Sequence, residues 1–417
     1  MNETLTRSRA ILTSILLLAA LGAAANAAPP AGARAERAAA VLLAFDGSGD
    51  FGPRTPGTRT DGWQEALDCC VREARDLHVL GGFGGRKPVY HIRETIRFPA
   101  AQDFRVTGGV YVLNWEGPPD KDLLVLDSAM NCEYRLGILV YGGKAAALRL
   151  RAEKPVPLDG FPAWIETQVF SQGMADPQPF RAGERKAGTG VVFDGSDTAI
   201  QCCDFCFASV LNFQTCVEVK GTVSFNDLRI PHLHSNADNG TLLVVGEKAF
   251  GNRMQFTLGV DQGAKNVTGV VLGGQRNTIE LGKRGCNQRF PQGRALILTE
   301  TAEGNQINLA DAELDDPHTI LTDHARVPSN QLTWTGPPLP FRKLENVGSN
   351  FAHIQRLYPA TLRWSGGAVE GVTLVRGGRQ LDLGKGTDRE WSLSVGDELR
   401  LRSTTPPTIQ LVPLKTR

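Results

Sequence analysis

The feature that most constrains the fold is an asparagine that recurs at a nearly constant interval in the second half of the chain. Each asparagine opens a segment with apolar residues at the second and fourth positions after it, the alternation of a half-buried β-strand. The asparagines are Asn226, Asn252, Asn277, Asn305 and Asn330, spaced 26, 25, 28 and 25 residues apart. We expect Gln201 to fill the same place one repeat earlier.

A second apolar strand keeps step with the asparagines. Its cores end at Phe193, Val219, Val245, Leu272, Leu298 and Leu321, which are 26, 26, 27, 26 and 23 residues apart. Two strand motifs in register, joined by short turns, indicate a solenoid of stacked strands. Because Asn tolerates left-handed backbone and stacked strands lie about 4.8 Å apart, we predict that the asparagine amides bond from coil to coil. Solvent-exposed turn asparagines are the alternative.

The rest of the chain is less regular. The apolar positions of residues 63–77 predict an amphipathic helix that caps the solenoid, with Asp61 as its N-cap. Residues 153–190, rich in Pro, Gly and charge, are expected to be a long excursion from the coil. Past about residue 350 the register is lost, and short strands with glycine turns predict a small C-terminal β module. We therefore divide the chain into a signal peptide at 1–27, a linker at 28–45, a right-handed parallel β-helix at 46–354 and the module at 355–417.

The opening of the β-helix region resembles a known superfamily. DFGPRTPGTRTDGWQEAL at Asp50–Leu67, the helix, a glycine-rich turn and VYHIRETIRFP at Val89–Pro99 are similar to the opening of pectate-lyase-like right-handed parallel β-helix proteins, which include polygalacturonases and phage tailspikes. The resemblance implies a capping helix, a first coil and either action on a polysaccharide or binding alone. Of the catalytic signatures of these enzymes, the sequence keeps a bare Asp-Asp at 315–316 and the R-x-P of Arg229–Pro231.

The N-terminal segment is typical of a secretory signal peptide. Arg7 and Arg9 precede an apolar run at Ala10–Leu21, and Ala25–Ala27 supplies the small-residue cleavage pattern. We therefore expect export to the periplasm or the medium, and no membrane span later in the chain. A formal net charge of +1 favours neither nucleic acid nor an anionic membrane as partner. The expected partner is a polysaccharide, oligomer formation is left open, and the 8 cysteines are expected to be packed and reduced, without zinc.

Candidate site residues lie on the outward side of the asparagine strands. The third position after each asparagine should point outward, and this column reads Asp204, Arg229, Gln255, Glu280, Asn308 and Thr333. The predicted catalytic residues, on this column or just beyond it, are Arg229, His232, Glu280, Lys283 and Asp311. The predicted substrate-binding residues beside them are His234, Arg284 and Glu313.

These residue types support two chemistries. A lyase would use Lys283 or His232 as base and a neighbouring arginine to hold a uronate, whereas a hydrolase would use two carboxylates, Glu280 and Asp311. No cofactor or resident metal is expected, although the acidic run at 311–316 offers oxygen ligands to Ca²⁺; a solvated acidic turn is the alternative. The predicted function is an exported carbohydrate-active protein, either a polysaccharide lyase or a glycoside hydrolase. The alternatives are a non-catalytic glycan-binding protein and a surface structural β-helix protein.

Overall fold

The fold follows from parallel pairing between strands that lie one repeat apart in the sequence. The computed structural model describes residues 40–82, 87–154, 165–175, 188–235, 237–260, 265–282, 294–309, 321–334, 341–344, 347–386 and 388–414. Within these ranges one 24-stranded sheet winds through most of the chain. Its first strands are β1 (Val41–Ala44), β2 (Leu77–Leu80), β3 (Val89–Ile92), β4 (Ile96–Phe98), β5 (Ala101–Gln102), β6 (Arg105–Gly108), β7 (Val112–Trp115), β8 (Leu124–Leu126), β9 (Ala129–Val140), β10 (Ala146–Leu150), β11 (Ile165–Ala175) and β12 (Thr189–Gln201). They are followed by β13 (Asp204–Phe207), β14 (Val210–Leu211), β15 (Thr215–Ser224), β16 (Asp227–Ser235), β17 (Thr241–Val245), β18 (Arg253–Val260), β19 (Thr268–Leu272), β20 (Thr278–Gly282), β21 (Arg294–Leu298), β22 (Gln306–Leu309), β23 (Leu321–Asp323) and β24 (Gln331–Trp334).

The parallel pairings arrange these strands in three main columns. The first column runs β1, β2, β6, β9, β11, β13, β16, β18, β20, β22, β24. The second runs β3, β7, β9, β11, β14, β16, β18, and the third runs β4, β8, β10, β12, β15, β17, β19, β21, β23. Long strands such as β9 and β16 belong to two columns, so the chain bends within a strand. This pairing confirms the predicted parallel β-helix, which begins at β1 and so includes residues 41–44 of the predicted linker.

The asparagines form the predicted ladder at one corner of the coil. All five are buried, and Asn277 and Asn305 have no exposed surface. The Oδ1 of Asn277 accepts hydrogen bonds from the backbone N and the Nδ2 of Asn252, both at 3.0 Å. Asn305 Oδ1 accepts the equivalent pair from Asn277 at 2.9 and 3.1 Å. Each Nδ2 also donates to a backbone carbonyl, so buried backbone groups at the corner that would otherwise lack partners are paired.

Cys203, not Gln201, continues the ladder one coil earlier. The backbone N of Cys203 donates to Asn226 Oδ1 at 3.0 Å, and the backbone N of Thr167 donates to Cys203 Sγ at 3.3 Å. The predicted slot for Gln201 was therefore wrong by two residues. Cys203 is buried, as expected of a packed cysteine, and the cysteines that the structure describes are free thiols, although Cys202 is exposed and not packed.

The predicted capping helix is present but shorter than expected. Helix α1 (Trp63–Glu73) buries its apolar face, and it ends because Ala74 adopts a left-handed conformation at φ 51°. Leu77, expected on the helix, instead opens β2. Asp61 is not the N-cap, since its Oδ2 accepts a hydrogen bond from the backbone N of His91 at 2.6 Å.

Part of the expected excursion at 153–190 belongs to the solenoid. Strand β11 pairs along β9 and buries Ile165 and Val169 in the core. The excursion was therefore predicted wrongly for residues 165–175, where a strand replaces the loop. Residues 155–164 and 176–187 lie outside the described part of the chain.

The predicted C-terminal β module consists of two antiparallel sheets, and it begins before the predicted residue 355, because residues 342–344 and 350–354 pair within these sheets. Its strands are β25 (Arg342–Leu344), β26 (Asn350–Ile354), β27 (Ala360–Ser365), β28 (Ala368–Arg376), β29 (Arg379–Gly384), β30 (Arg389–Leu393), β31 (Glu398–Thr405) and β32 (Thr408–Pro413). One sheet has the order β25-β32-β27-β30 and the other β26-β31-β28-β29. The module contacts the last coil directly. The backbone N of Leu332 donates to Leu357 O at 2.5 Å, and Trp334 packs edge-on against Tyr358 at 5.6 Å.

Candidate functional site

The outward side chains of β16, β18, β20, β22 and β24 form a continuous surface, which we call the polar face. Each strand contributes the first and the third residue after its ladder asparagine. The first positions are Asp227, Arg253, Thr278, Gln306 and Gln331, and the third are Arg229, Gln255, Glu280, Asn308 and Thr333. Because a parallel pairing places equivalent residues over each other, every set runs as a straight column along the solenoid.

The predicted outward column is confirmed from Arg229 to Thr333 and is wrong at its start. Cys206, not Asp204, pairs with Arg229, while Asp204 pairs with Asp227. The error has the same origin as the misplaced ladder slot, because Cys203 rather than Gln201 sets the register of that coil.

The first half of the polar face is charged, and its charges pair with each other. Arg229 Nη2 lies 3.0 Å from Asp204 Oδ1, and Arg229 Nε lies 3.8 Å from Asp227 Oδ1. The hydrogen bond from Arg229 to Asp204 raises the pKa of the Arg229 guanidinium above its ordinary value. Arg229 is therefore already paired with carboxylates of its own chain. Exposed ion pairs of this kind contribute little to stability.

Glu280 is the last residue of the charged half, and its carboxylate is also paired with other side chains. Its Oε2 accepts a hydrogen bond from Gln255 Nε2 at 2.7 Å, and its Oε1 lies 3.5 Å from Arg253 Nη2. Both oxygens of this predicted catalytic carboxylate thus face partners on the preceding coil. A second carboxylate is needed for hydrolysis, and the predicted one, Asp311, lies outside the described residues.

The second half of the polar face, which we call the neutral half, carries amides and hydroxyls. Its residues are Thr278, Gln306, Asn308, Gln331 and Thr333, and together with Glu280 they surround a surface depression of about 310 Å³. Asn308 Oδ1 is shielded from solvent and has no hydrogen-bond partner among the described residues. Of this group, only the third-position residues Asn308 and Thr333 belong to the column predicted from the sequence. The first positions after the same asparagines would have supplied Thr278, Gln306 and Gln331.

The two predicted histidines differ in exposure, although their ring centroids lie 5.7 Å apart. A register shift between Ile230 and Leu233 bulges β16, so Pro231 and His232 are exposed at the bend. Beyond the bulge, His234 is 9% exposed and pairs in register with Leu211 of the second column. His234 therefore does not line the polar face. Lys283, Arg284, Asp311 and Glu313 fall outside the described residues.

A cleft that the sequence did not reveal lies near the N-terminal end of the solenoid. It has a volume of about 940 Å³, and its ionisable lining residues are Asp46, His78, Lys87 and His91. His91 Nδ1 lies 2.6 Å from Glu116 Oε1, and this hydrogen bond lowers the pKa of the Glu116 carboxyl. The Nε2 of His91 has no hydrogen-bond partner within the described ranges. An imidazole held in this way by a carboxylate is oriented to exchange a proton through its other nitrogen.

The part of the chain that the structure describes contains neither a metal-binding cluster nor a helix that could span a membrane. Among residues that the structure describes, no group of three or more His, Cys, Asp or Glu side chains could hold a metal ion. The acidic run at 311–316 lies outside these ranges, so calcium binding there stays a prediction. No described helix is long and apolar enough to cross a membrane.

Comparisons with known protein families, curated sequences and solved structures do not reveal a function for this chain. No protein-family model matches the chain, and no curated protein sequence matches it. Among solved structures, the chain is similar to the crystal structure of the Dettilon tailspike protein (gp208). The two are 11% identical, the match covers 89% of this chain and 94% of that chain, and the TM-score is 0.27. The function of this chain therefore has to be inferred from its own side chains.

Proposed function

We propose that this protein binds a polysaccharide along the polar face and that the neutral half is the principal contact. The observation that carries the proposal is the composition of three successive coils there, where every outward residue except Glu280 is an amide or a hydroxyl. Such side chains donate and accept hydrogen bonds, as sugar hydroxyls do. Asn308 Oδ1 has no hydrogen-bond partner among the described residues and is shielded from solvent, so its side chain would have to rotate for this oxygen to accept a hydrogen bond from a ligand hydroxyl.

The periodicity of the face favours a polymer over a small molecule. Each coil advances by about 4.8 Å, which is comparable to the length of one sugar unit, and the same types of side chain recur coil after coil. A chain of sugars can therefore repeat its contacts along the solenoid. The neutral half has no described cation that would hold phosphates, which argues against nucleic acid as the ligand.

Removing the amides of the neutral half should weaken binding. In the double variant Gln306→Ala/Asn308→Ala, two ligand hydrogen bonds of about 1 kcal/mol each are lost, and we expect at least about tenfold weaker binding. Affinity gel electrophoresis with a neutral galactomannan, a β-glucan and polygalacturonate measures this, and the wild type should bind at least one of the neutral polymers. The matched control Asn350→Ala/Gln380→Ala removes two exposed amides of the C-terminal module. If the polysaccharide in the gel retards both double variants equally, the neutral half is not the binding site.

Cleavage of the bound polymer is a second candidate function, supported by the cleft near the N-terminal end. There, the His91–Glu116 pair supplies an oriented imidazole beside His78 and Lys87. Either elimination or hydrolysis requires a group that takes and returns a proton, and His91 Nε2 would be that group. Cleavage on the polar face itself would instead depend on Lys283 and Asp311.

If the cleft cleaves the polymer, His91→Ala should slow cleavage at least about 100-fold. Absorbance at 235 nm detects elimination, and reducing ends without that absorbance detect hydrolysis. His324→Ala, which removes an exposed histidine of another turn, is the control and should keep the wild-type rate. A wild-type protein that releases no product, or a His91→Ala variant at full rate, would refute catalysis in the cleft.

Export is also proposed, on the support of the charged, apolar and small-residue segments at the N-terminus. It would place the polar face where extracellular polysaccharides occur. We expect the exported protein to begin near Ala28. Intact mass of protein recovered outside the cytoplasm decides this, and a mass that still includes Leu16–Leu18 would refute the cleavage.

A further inference from the structure

An exposed phenylalanine occupies an unusual backbone position at the corner of the solenoid. The residue directly before a ladder residue is left-handed in successive coils. These residues are Cys202, Phe225, Gly251, Arg276 and Gly304, with φ between 52° and 65°. Phe225, at φ 58°, is 60% exposed. A bulky side chain is among the least suitable residues for this conformation, whereas glycine and asparagine adopt it readily.

The Phe225 ring is nevertheless held in one place. It packs edge-on against Phe250, with ring centroids 5.5 Å apart and an interplanar angle of 79°. It also lies close over Gly251, where an added Cβ would come within 3.0 Å of Phe225 Cε1. On the next coil, the guanidinium of Arg276 lies 5.6 Å from the Phe250 ring centroid. The glycine thus leaves room for the ring to rest on the corner, and more than half of the side chain still faces solvent.

The corner lies beside the polar face. Phe225 precedes Asp227 by two residues, and Asp227 is the first outward residue of its strand. The aromatic corner, formed by Phe225, Phe250 and Arg276, follows the same coils as Arg229, Gln255 and Glu280. A polymer that lies along the polar face would therefore reach the corner at the charged end of the face.

We propose that Phe225 is a stacking surface for a sugar ring of the bound polysaccharide; this inference rests on the proposed function. The face of a phenyl ring is apolar and electron-rich, so it suits the C–H side of a pyranose. The polar face itself contributes no aromatic residue, so Phe225 supplies the apolar contact that the amides and hydroxyls lack. A ligand on the ring would explain why an exposed aromatic residue, Phe225, occupies an unfavourable left-handed backbone conformation.

Asparagine at position 225 separates a binding role from a structural one. Because Asn accepts the left-handed conformation, Phe225→Asn should unfold at an equal or higher urea concentration than the wild type. In affinity gel electrophoresis, the same variant should bind at least tenfold more weakly to the neutral polysaccharide that the wild type binds. Phe225→Tyr keeps the ring and should bind as the wild type does. Phe341→Asn, which removes a phenylalanine that is 63% exposed before β25, is the control and should leave binding unchanged.

The outcomes distinguish this inference from the proposed function. A wild-type protein that retards none of the polymers overturns both. Wild-type binding that Phe225→Asn preserves, or that Phe225→Tyr fails to restore, overturns the stacking role alone. A lower urea midpoint for Phe225→Asn would show that the ring is needed for the fold. An oligomeric wild type that Phe225→Asn converts to a monomer in sedimentation would show that the ring contacts protein instead of sugar.

Discussion

Replacing Asn305 with Ala should lower the free energy of unfolding by about 2–5 kcal/mol, because it leaves several buried groups without partners. Asn305 Oδ1 accepts from the backbone N and the Nδ2 of Asn277, and its own Nδ2 donates to Gly274 O and Asn330 Oδ1, both at 2.8 Å. Alanine replaces none of these hydrogen bonds, and the fully buried site gives the stranded groups no water.

The adjacent residue provides the control for the ladder. Gln306 carries the same amide group but points outward, so Gln306→Ala should cost less than about 0.5 kcal/mol. Urea denaturation of the two variants measures the difference. Equal midpoints would contradict the ladder as a source of stability, since the two substitutions differ mainly in which side of the strand they change.

Gly221→Ala should lower the free energy of unfolding by about 3–5 kcal/mol. Alanine disfavours the left-handed conformation at this position, and its Cβ would clash with the backbone of the neighbouring coil. Gly221 has φ 68°, and a Cβ there would lie 2.2 Å from Gly195 C and 2.3 Å from Gly195 O. The two glycines pair in register between β12 and β15, at the point where the pairing is interrupted. Neither backbone can move away without breaking contacts between coils.

A second glycine separates the clash from the backbone conformation. Gly57 also has a positive φ, 74°, but a Cβ there meets nothing within 4 Å. Gly57→Ala should therefore cost about 1–2 kcal/mol, the conformational part alone. If the two variants unfold at the same urea concentration, the close packing of Gly221 against Gly195 does not contribute to the loss of stability in Gly221→Ala.

The ladder could be predicted because one residue type repeats in the slot that it fills. Asn226 to Asn330 keep both their identity and their spacing, so the strands and the inward residues follow. The preceding coil could not be placed correctly, because Cys203 supplies Sγ where the other coils supply an amide. Gln201 carries an amide like the asparagines of the other coils, but the residue that bonds to Asn226 is Cys203, two positions later.

The site was harder to predict than the fold, because bends and turns are not periodic. The bulge at Pro231–His232 changes the alternation, so His234 is buried, although its ring centroid stays 5.7 Å from that of the exposed His232. The corner that carries Phe225 is defined by positive φ angles, and its members have no common residue type. The N-terminal cleft joins segments that share no repeat, so neither spacing nor alternation could bring His78 and His91 together.

The most direct test of polysaccharide binding along the polar face is a crystal structure with an oligosaccharide of the polymer that binds in gel electrophoresis. The sugar chain should lie parallel to the solenoid axis over Thr278, Gln306, Asn308 and Gln331, with a ligand hydroxyl donating to Asn308 Oδ1. At the other end, a sugar ring should stack on Phe225. An oligosaccharide bound in the N-terminal cleft or on the C-terminal module, with the polar face empty, would contradict this account.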